Sequence, residues 1–175
     1  MISRHIGDVF LSPPGHSLAH CVSADGHMQK GIARQFVSKF PVLLRLRKDY
    51  NIVGTAVPIL TGGRFIYNLV TKSRFWMKPT EFSIASSLHS LLAHAVACEI
   101  SDISMPEIGG GRDCMDFERD VMPIILQVLD ASPVHVHVYN YYPWVSVPAR
   151  YVSYEQIVWA ELVPVLHLGE TPGSC

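Results

Sequence analysis

The stretch DISMPEIGGGRD, residues 102–113, decides how the rest of the chain is read. A short apolar run ends in three consecutive glycines, Gly109, Gly110 and Gly111, and Asp113 closes the loop. Glycines directly after a strand let backbone approach a ligand closely. Downstream, Phe117, Val121, Ile124, Ile125, Val128 and Leu129 fall on one helical face, with Asp116 and Glu118 near its positive N-terminal end. Pro123 interrupts that pattern, so the helix either kinks there or begins near Met122. A second apolar run, 134–139, follows, giving a strand–loop–helix–strand unit.

The same alternation extends toward the N-terminus. Strands are expected at 2–6, 18–22, 55–60 and 64–70, and helices at 31–40, with Ile32, Phe36 and Phe40 in one stripe, and from a Thr80 cap to about Cys98. Ala85, Leu88, Leu92, Ala95 and Val96 are the expected apolar face of the latter. The turn TGG, residues 61–63, predicts a hairpin, and Pro58 pushes its strand to a sheet edge or a bulge. The order implies an α/β sandwich with a mixed sheet. Residues 1–140 read as one domain, and the aromatic, valine- and proline-rich residues 141–175 as an extension that packs on it or forms a contact surface.

Composition narrows the function classes. The 175 residues are 49% hydrophobic and 17% charged, long enough for a full core without disulfide staples. A formal net charge of −1 supplies no field for sequence-independent nucleic-acid binding. The basic positions Lys30, Lys39, Arg45, Arg47 and Lys48 read as a solvated face or as a patch for a polyanion. No apolar run reaches the roughly 18 residues of a membrane helix, and no export signal is expected. Cys21, Cys98, Cys114 and Cys175 lie far apart without a C-x-x-C pair, so reduced thiols of an intracellular protein, cytoplasmic or nuclear, are expected.

Three features carry possible chemistry. The loop between residues 23 and 31, with Gly26 and Gly31 ahead of a helix, suits a phosphate or is a plain turn. Asp113 beside the glycine loop is either a capping carboxylate or a general acid and base at a sugar. Lys72 ends the strand RFIYNLVTK, where sites in α/β sheets sit, as a solvated charge or as a partly desolvated nucleophile toward a sugar carbon. His135 and His137 share a sheet face, yet no third ligand with recognisable spacing is visible, so no metal is expected.

The ordered blocks GDVF, SLAHCVSAD, M-x-x-GIA, Y-x-L-V-T-K, KPT and D-I-S-M-P-x-I-G-x-G-x-D, across about residues 2–139, resemble the macrodomain family. Within it they are most similar to the subclass that hydrolyses terminal ADP-ribose from modified proteins. The resemblance implies a three-layer α/β/α fold with a central mixed sheet, an ADP-ribose cleft along the strand ends, and no cofactor. It implies that Asp8 and the Val9 amide meet adenine. Ser23, Met28, Gly31 and Ile32 would border the distal ribose and diphosphate, Gly109, Gly110, Gly111 and Arg112 would cradle phosphate, and Cys21, Pro106 and Ile108 would line the same cleft with His20, which reads as a packed, hydrogen-bonded residue rather than an acid or base. Lys72 would attack the distal ribose while Asp113 moves the proton, releasing ADP-ribose from an acidic side chain. The partners implied are ADP-ribose and mono-ADP-ribosylated proteins. Gln29 and Lys30 stand where the family has small residues, and Glu107 where it has a basic one. Rival readings on the same fold are a non-catalytic ADP-ribose reader and a phosphatase acting on ADP-ribose-1″-phosphate.

Overall fold

The computed structural model describes residues 1–45, 52–111, 113–141 and 150–152. Seven strands form one mixed sheet in the order β3-β4-β2-β5-β6-β1-β7. They are β1 (Ile2–Ile6), β2 (Ser17–Ser23), β3 (Thr55–Thr61), β4 (Arg64–Lys72), β5 (Asp102–Pro106), β6 (His135–Asn140) and β7 (Arg150–Val152). Strands β4, β2, β5, β6 and β1 run parallel, and β3 and β7 close the two edges antiparallel. Pro58 lies on the edge strand β3, where its missing N–H costs no ladder bond, and Gly62 and Gly63 turn the hairpin with positive φ. β7 comes from residues 141–175, a segment with no strand among the expectations above; the rest of that extension beyond Tyr141 lies outside the described residues.

Helices α1 (Gly31–Lys39), α2 (Glu81–Ala97) and α3 (Met122–Leu129) cover the sheet on both faces. Because strand side chains alternate, β4 sends Tyr67 and Leu69 into a core beneath α2 and α3, and Ile66 and Val70 into a second core with Phe36 of α1. The result is the expected α/β/α sandwich. The apolar face of α2 is rotated from the expected one: Ile84, Leu88, Leu91 and Ala95 are buried, whereas Val96 is exposed, because the helix also packs its small Ser83 and Ser87 against β4. Pro123 sits in the first turn of α3, preceded by a wider turn at Phe117–Val121, so the proline starts the helix rather than kinking it.

Among the described residues no helix is long and apolar enough to cross a membrane. Cys21 and Cys98 are free thiols, but Cys114 is disulfide-bonded, so the expectation of reduced cysteines fails at that position.

Candidate active site

Parallel strands end on the same side of a sheet, so β1, β2, β4, β5 and β6 present their C-terminal residues along one edge. A cleft of about 220 Å³ opens there, lined by residues from β2, the start of α1, β4 and the loop after β5. The register explains how two of its side chains meet. Ser23 pairs with Lys72 rather than with Thr71, through an irregularity after Val22, and the Ala24 N–H donates to the Lys72 carbonyl at 2.8 Å. Such a bulge re-aims the end of a strand.

Lys72 is held in the cleft as an ion pair, its Nζ donating to Asp113 Oδ1, with both side chains 11% exposed. Cys21 lies beside them, its thiol pushed up to about 12 by burial and then by the Asp113 charge, so it is a neutral wall of the cleft rather than a nucleophile.

Two backbone edges flank this pair. On one side α1 begins at Gly31, with φ +59 and no side-chain cap from Lys30. α2, by contrast, is closed by a reciprocal capping box between Thr80 and Ser83. The N–H groups of the first turn of α1 therefore lack a side-chain cap where the helix meets the cleft, which suits an anion. Opposite, the loop 107–111 turns through Gly109 at φ +79, and a Cβ there would lie 3.0 Å from Val121 Cγ2. The site requires glycine both for conformation and for space.

The carboxylates near these edges are already engaged. Glu107 Oε1 accepts from Arg4 Nη2 at 2.9 Å and from Asn140 Nδ2 at 2.8 Å. Burial pushes its carboxyl up, and the Arg4 guanidinium offsets part of that. Asp25 accepts from Ser23 Oγ and from the N–H groups of His27 and Phe75. Burial would raise its carboxyl, yet those hydrogen bonds hold it below its ordinary value. Asp25 thereby ties the ends of β2 and β4 together and orients the Phe75 backbone.

Of the residues singled out in the sequence, Cys21, Ser23, Gly31, Ile32, Lys72, Pro106, Ile108, Gly109, Gly111 and Asp113 line the cleft. Asp8 lies along the same edge past β1, where it caps the short turn Val9–Leu11 by accepting from the Phe10 N–H, and Val9 is buried beneath it. Met28 belongs to the core around Phe36, Gly110 stands outside the lining, and Arg112 lies outside the described residues. His20 is fully buried, stacked on Phe36 at 4.0 Å and bonded to Asn68 at 2.9 Å. Burial lowers its pKa to about 4, so it is a neutral core residue.

Sequence reasoning missed His27 and Phe75, which stack at 4.0 Å and form the outer wall. The signal in the sequence was the run Phe75-Trp76-Met77, which begins three residues after the strand-end lysine. Lys30, noted in the sequence as a departure, also lines the cleft.

The arrangement offers an amine and a carboxylate in contact, between two backbone edges of the cleft. No family model matches the chain. It is 37% identical over 134 residues to the human protein named ADP-ribose glycohydrolase OARD1, covering 77% of this chain and 88% of that one. The macrodomain of Thermus aquaticus DarG superposes with a TM-score of 0.70 at 24% identity, over 79% of this chain and 97% of that chain. Thermosipho africanus DarTG, solved in complex with ADP-ribose, superposes at 0.69 with 18% identity, over 83% of this chain and 43% of that one. These two likenesses establish the fold.

Proposed function

This chain belongs to the macrodomain family, in its ADP-ribose glycohydrolase branch, and from that premise we propose that it removes mono-ADP-ribose from acidic side chains of modified proteins. The observation that carries this reading is the contact of Lys72 with Asp113 in a cleft flanked by the start of α1, which has no side-chain cap, and by the glycine turn at Gly109. In the proposed binding mode the diphosphate lies between the first turn of α1 and the loop 107–111. The adenine extends along the sheet edge toward Asp8, and the distal ribose sits over Lys72.

In the proposed reaction Asp113 takes a proton from the Lys72 ammonium, and the freed amine attacks the anomeric carbon of the distal ribose. The bond from that carbon to the ester oxygen breaks, and its electron pair leaves with the carboxylate of the target protein. Water then displaces the lysine: its oxygen stays on the anomeric carbon, the proton it sheds passes to the released amine, and Asp113 gives up its proton to solvent, restoring the ion pair.

The same ion pair also supports a second reading. A lysine that stays an ammonium beside its carboxylate would leave the cleft as a reader of ADP-ribose without turnover. The location of His20 in the core removes it as an acid or base for the phosphatase alternative. The intracellular setting, cytoplasmic or nuclear, and a macrodomain at residues 1–140 with an extension at 141–175 are parts of the same proposal.

The test is release of ADP-ribose from a protein modified on glutamate, comparing wild type with Lys72→Ala and Asp113→Ala, alongside binding of free ADP-ribose by calorimetry. Turnover by wild type that falls at least about 100-fold in both variants, with binding retained, is expected for a group that moves protons or forms the covalent bond. Binding without release by wild type would establish the reader instead.

A further inference from the structure

At the opposite edge of the sheet, four histidines and a carboxylate converge on the face that carries α1. Asp102 and His135 open β5 and β6, His16 immediately precedes β2, and His5 and His137 lie one strand apart on β1 and β6. His137 Nε2 is 3.0 Å from Asp102 Oδ1, and one donor atom each of His16, Asp102 and His137 lies within 4.8 Å of the other two. From this geometry we propose that His16, Asp102 and His137 form a binding site for a divalent transition-metal ion of the zinc class, separate from the ADP-ribose cleft.

The donor set decides the class of ion. Two imidazole nitrogens and a carboxylate suit zinc and its neighbours, whereas magnesium and calcium take oxygen ligands. Zinc bound at about 2.0–2.2 Å to each ligand sets tetrahedral donor separations of about 3.3 Å. The His137–Asp102 pair already stands at 3.0 Å, so the remaining adjustment falls on His16, which is partly exposed and precedes its strand.

The surrounding groups orient these ligands. His16 Nδ1 shares a hydrogen bond with Ser104 Oγ at 2.9 Å, leaving Nε2 for the metal. His137 Nδ1 shares one with His5 Nε2 at 3.0 Å, leaving Nε2 beside Asp102. A ligand histidine whose second nitrogen is held by a partner is the usual arrangement around protein-bound metals. The His135 ring lies tilted against His137, centroids 4.0 Å apart, with its Nδ1 3.8 Å from Asp102 Oδ1.

His135 and His137 were visible as a pair in the sequence; the fold supplies Asp102 and His16 from far along the chain.

The experiment is calorimetric titration of ZnCl2 into the untagged, chelator-treated full chain, with Co2+ absorption as a second readout. Wild type, His16→Gln, Asp102→Asn and Cys98→Ser would be compared. The last removes a competing exposed pair in which Cys98 Sγ is 3.7 Å from His94 Nε2. The proposal predicts a single zinc per chain in wild type and Cys98→Ser. It predicts affinity at least about tenfold weaker in the other two variants, a zinc-dependent rise in Tm lost with them, and unchanged melting of His16→Gln in chelator. Absence of stoichiometric binding by wild type, equal binding by His16→Gln and Asp102→Asn, or loss of binding in Cys98→Ser would each overturn it.

Discussion

Replacing glycine by alanine at three points around the cleft separates conformational strain from crowding, because the three positions differ in one property at a time. Gly109 has φ +79 and would place a Cβ 3.0 Å from Val121 Cγ2, whose residue is fully buried. Gly31 has φ +59, but its Cβ meets nothing within 4 Å. Gly110 has no positive φ, and its Cβ would make ordinary contact with the Glu107 carbonyl at 3.8 Å. A left-handed alanine costs about 1–2 kcal/mol, and overpacking a core side chain adds about 1–3 kcal/mol. Lower entropy of the unfolded chain returns roughly 0.4–1 kcal/mol. Gly109→Ala is therefore expected to lose about 2–3 kcal/mol, and Gly31→Ala about 0.5–1 kcal/mol. Gly110→Ala should stay within about 0.5 kcal/mol of wild type. Urea unfolding measures all three, and calorimetry with ADP-ribose should show the largest affinity loss in Gly109→Ala, where the phosphate loop must shift. Equal losses at the three positions, or none at Gly109, would refute the assignment of that loop as a close-approach turn.

Further expectations concern stability and the outer wall. His20 titrates near 4 when folded against 6.5 for an unperturbed histidine, so the unfolded chain binds the extra proton between those values. Stability is therefore full above pH 6.5 and falls as the pH drops toward 4, by up to about 3 kcal/mol from this residue. His20→Gln should flatten the profile when urea midpoints are compared at about pH 7.5 and about pH 4.5, on either side of most of that titration. Thr80→Ala removes the half of the α2 capping box in which Thr80 Oγ1 accepts from the Ser83 N–H, leaves the bond from the residue 80 N–H to Ser83 Oγ, and should cost about 1 kcal/mol in a thermal melt without altering ADP-ribose affinity. Phe75→Ala removes an aromatic wall that is 36% exposed and should leave stability within about 0.5 kcal/mol. It should weaken ADP-ribose binding by roughly 3- to 10-fold, the size of one stacking contact.

The layered fold was legible because strand alternation and helical periodicity are local signals. Pro58 marked an edge and Pro123 a helix start through the N–H that each lacks. The face of α2 was misread because its serines, polar by type, bond to β4 carbonyls and so are buried. At the cleft, Lys72 and Asp113 could be nominated from strand and loop ends, but they meet across 41 residues of chain, between the end of β4 and the loop after β5, which no local pattern records. His20 reads in sequence as a packed, hydrogen-bonded residue within a cleft-lining block; it is packed against Phe36 and bonded to Asn68, but the alternation of β2 turns it away from the cleft. Phe75 and His27 meet only because Asp25 holds the Phe75 backbone 50 residues away, and no pattern in sequence records that bond.

The central claim is that Lys72 forms a covalent bond to the distal ribose during turnover. Wild type mixed with a glutamate-linked ADP-ribosylated peptide, quenched during the reaction and mapped by mass spectrometry, tests it directly. Transient addition of ADP-ribose on the peptide that carries Lys72, absent from Lys72→Ala, is the predicted result. Complete turnover with Lys72 unmodified throughout, or wild-type release rates from Lys72→Ala, would contradict it.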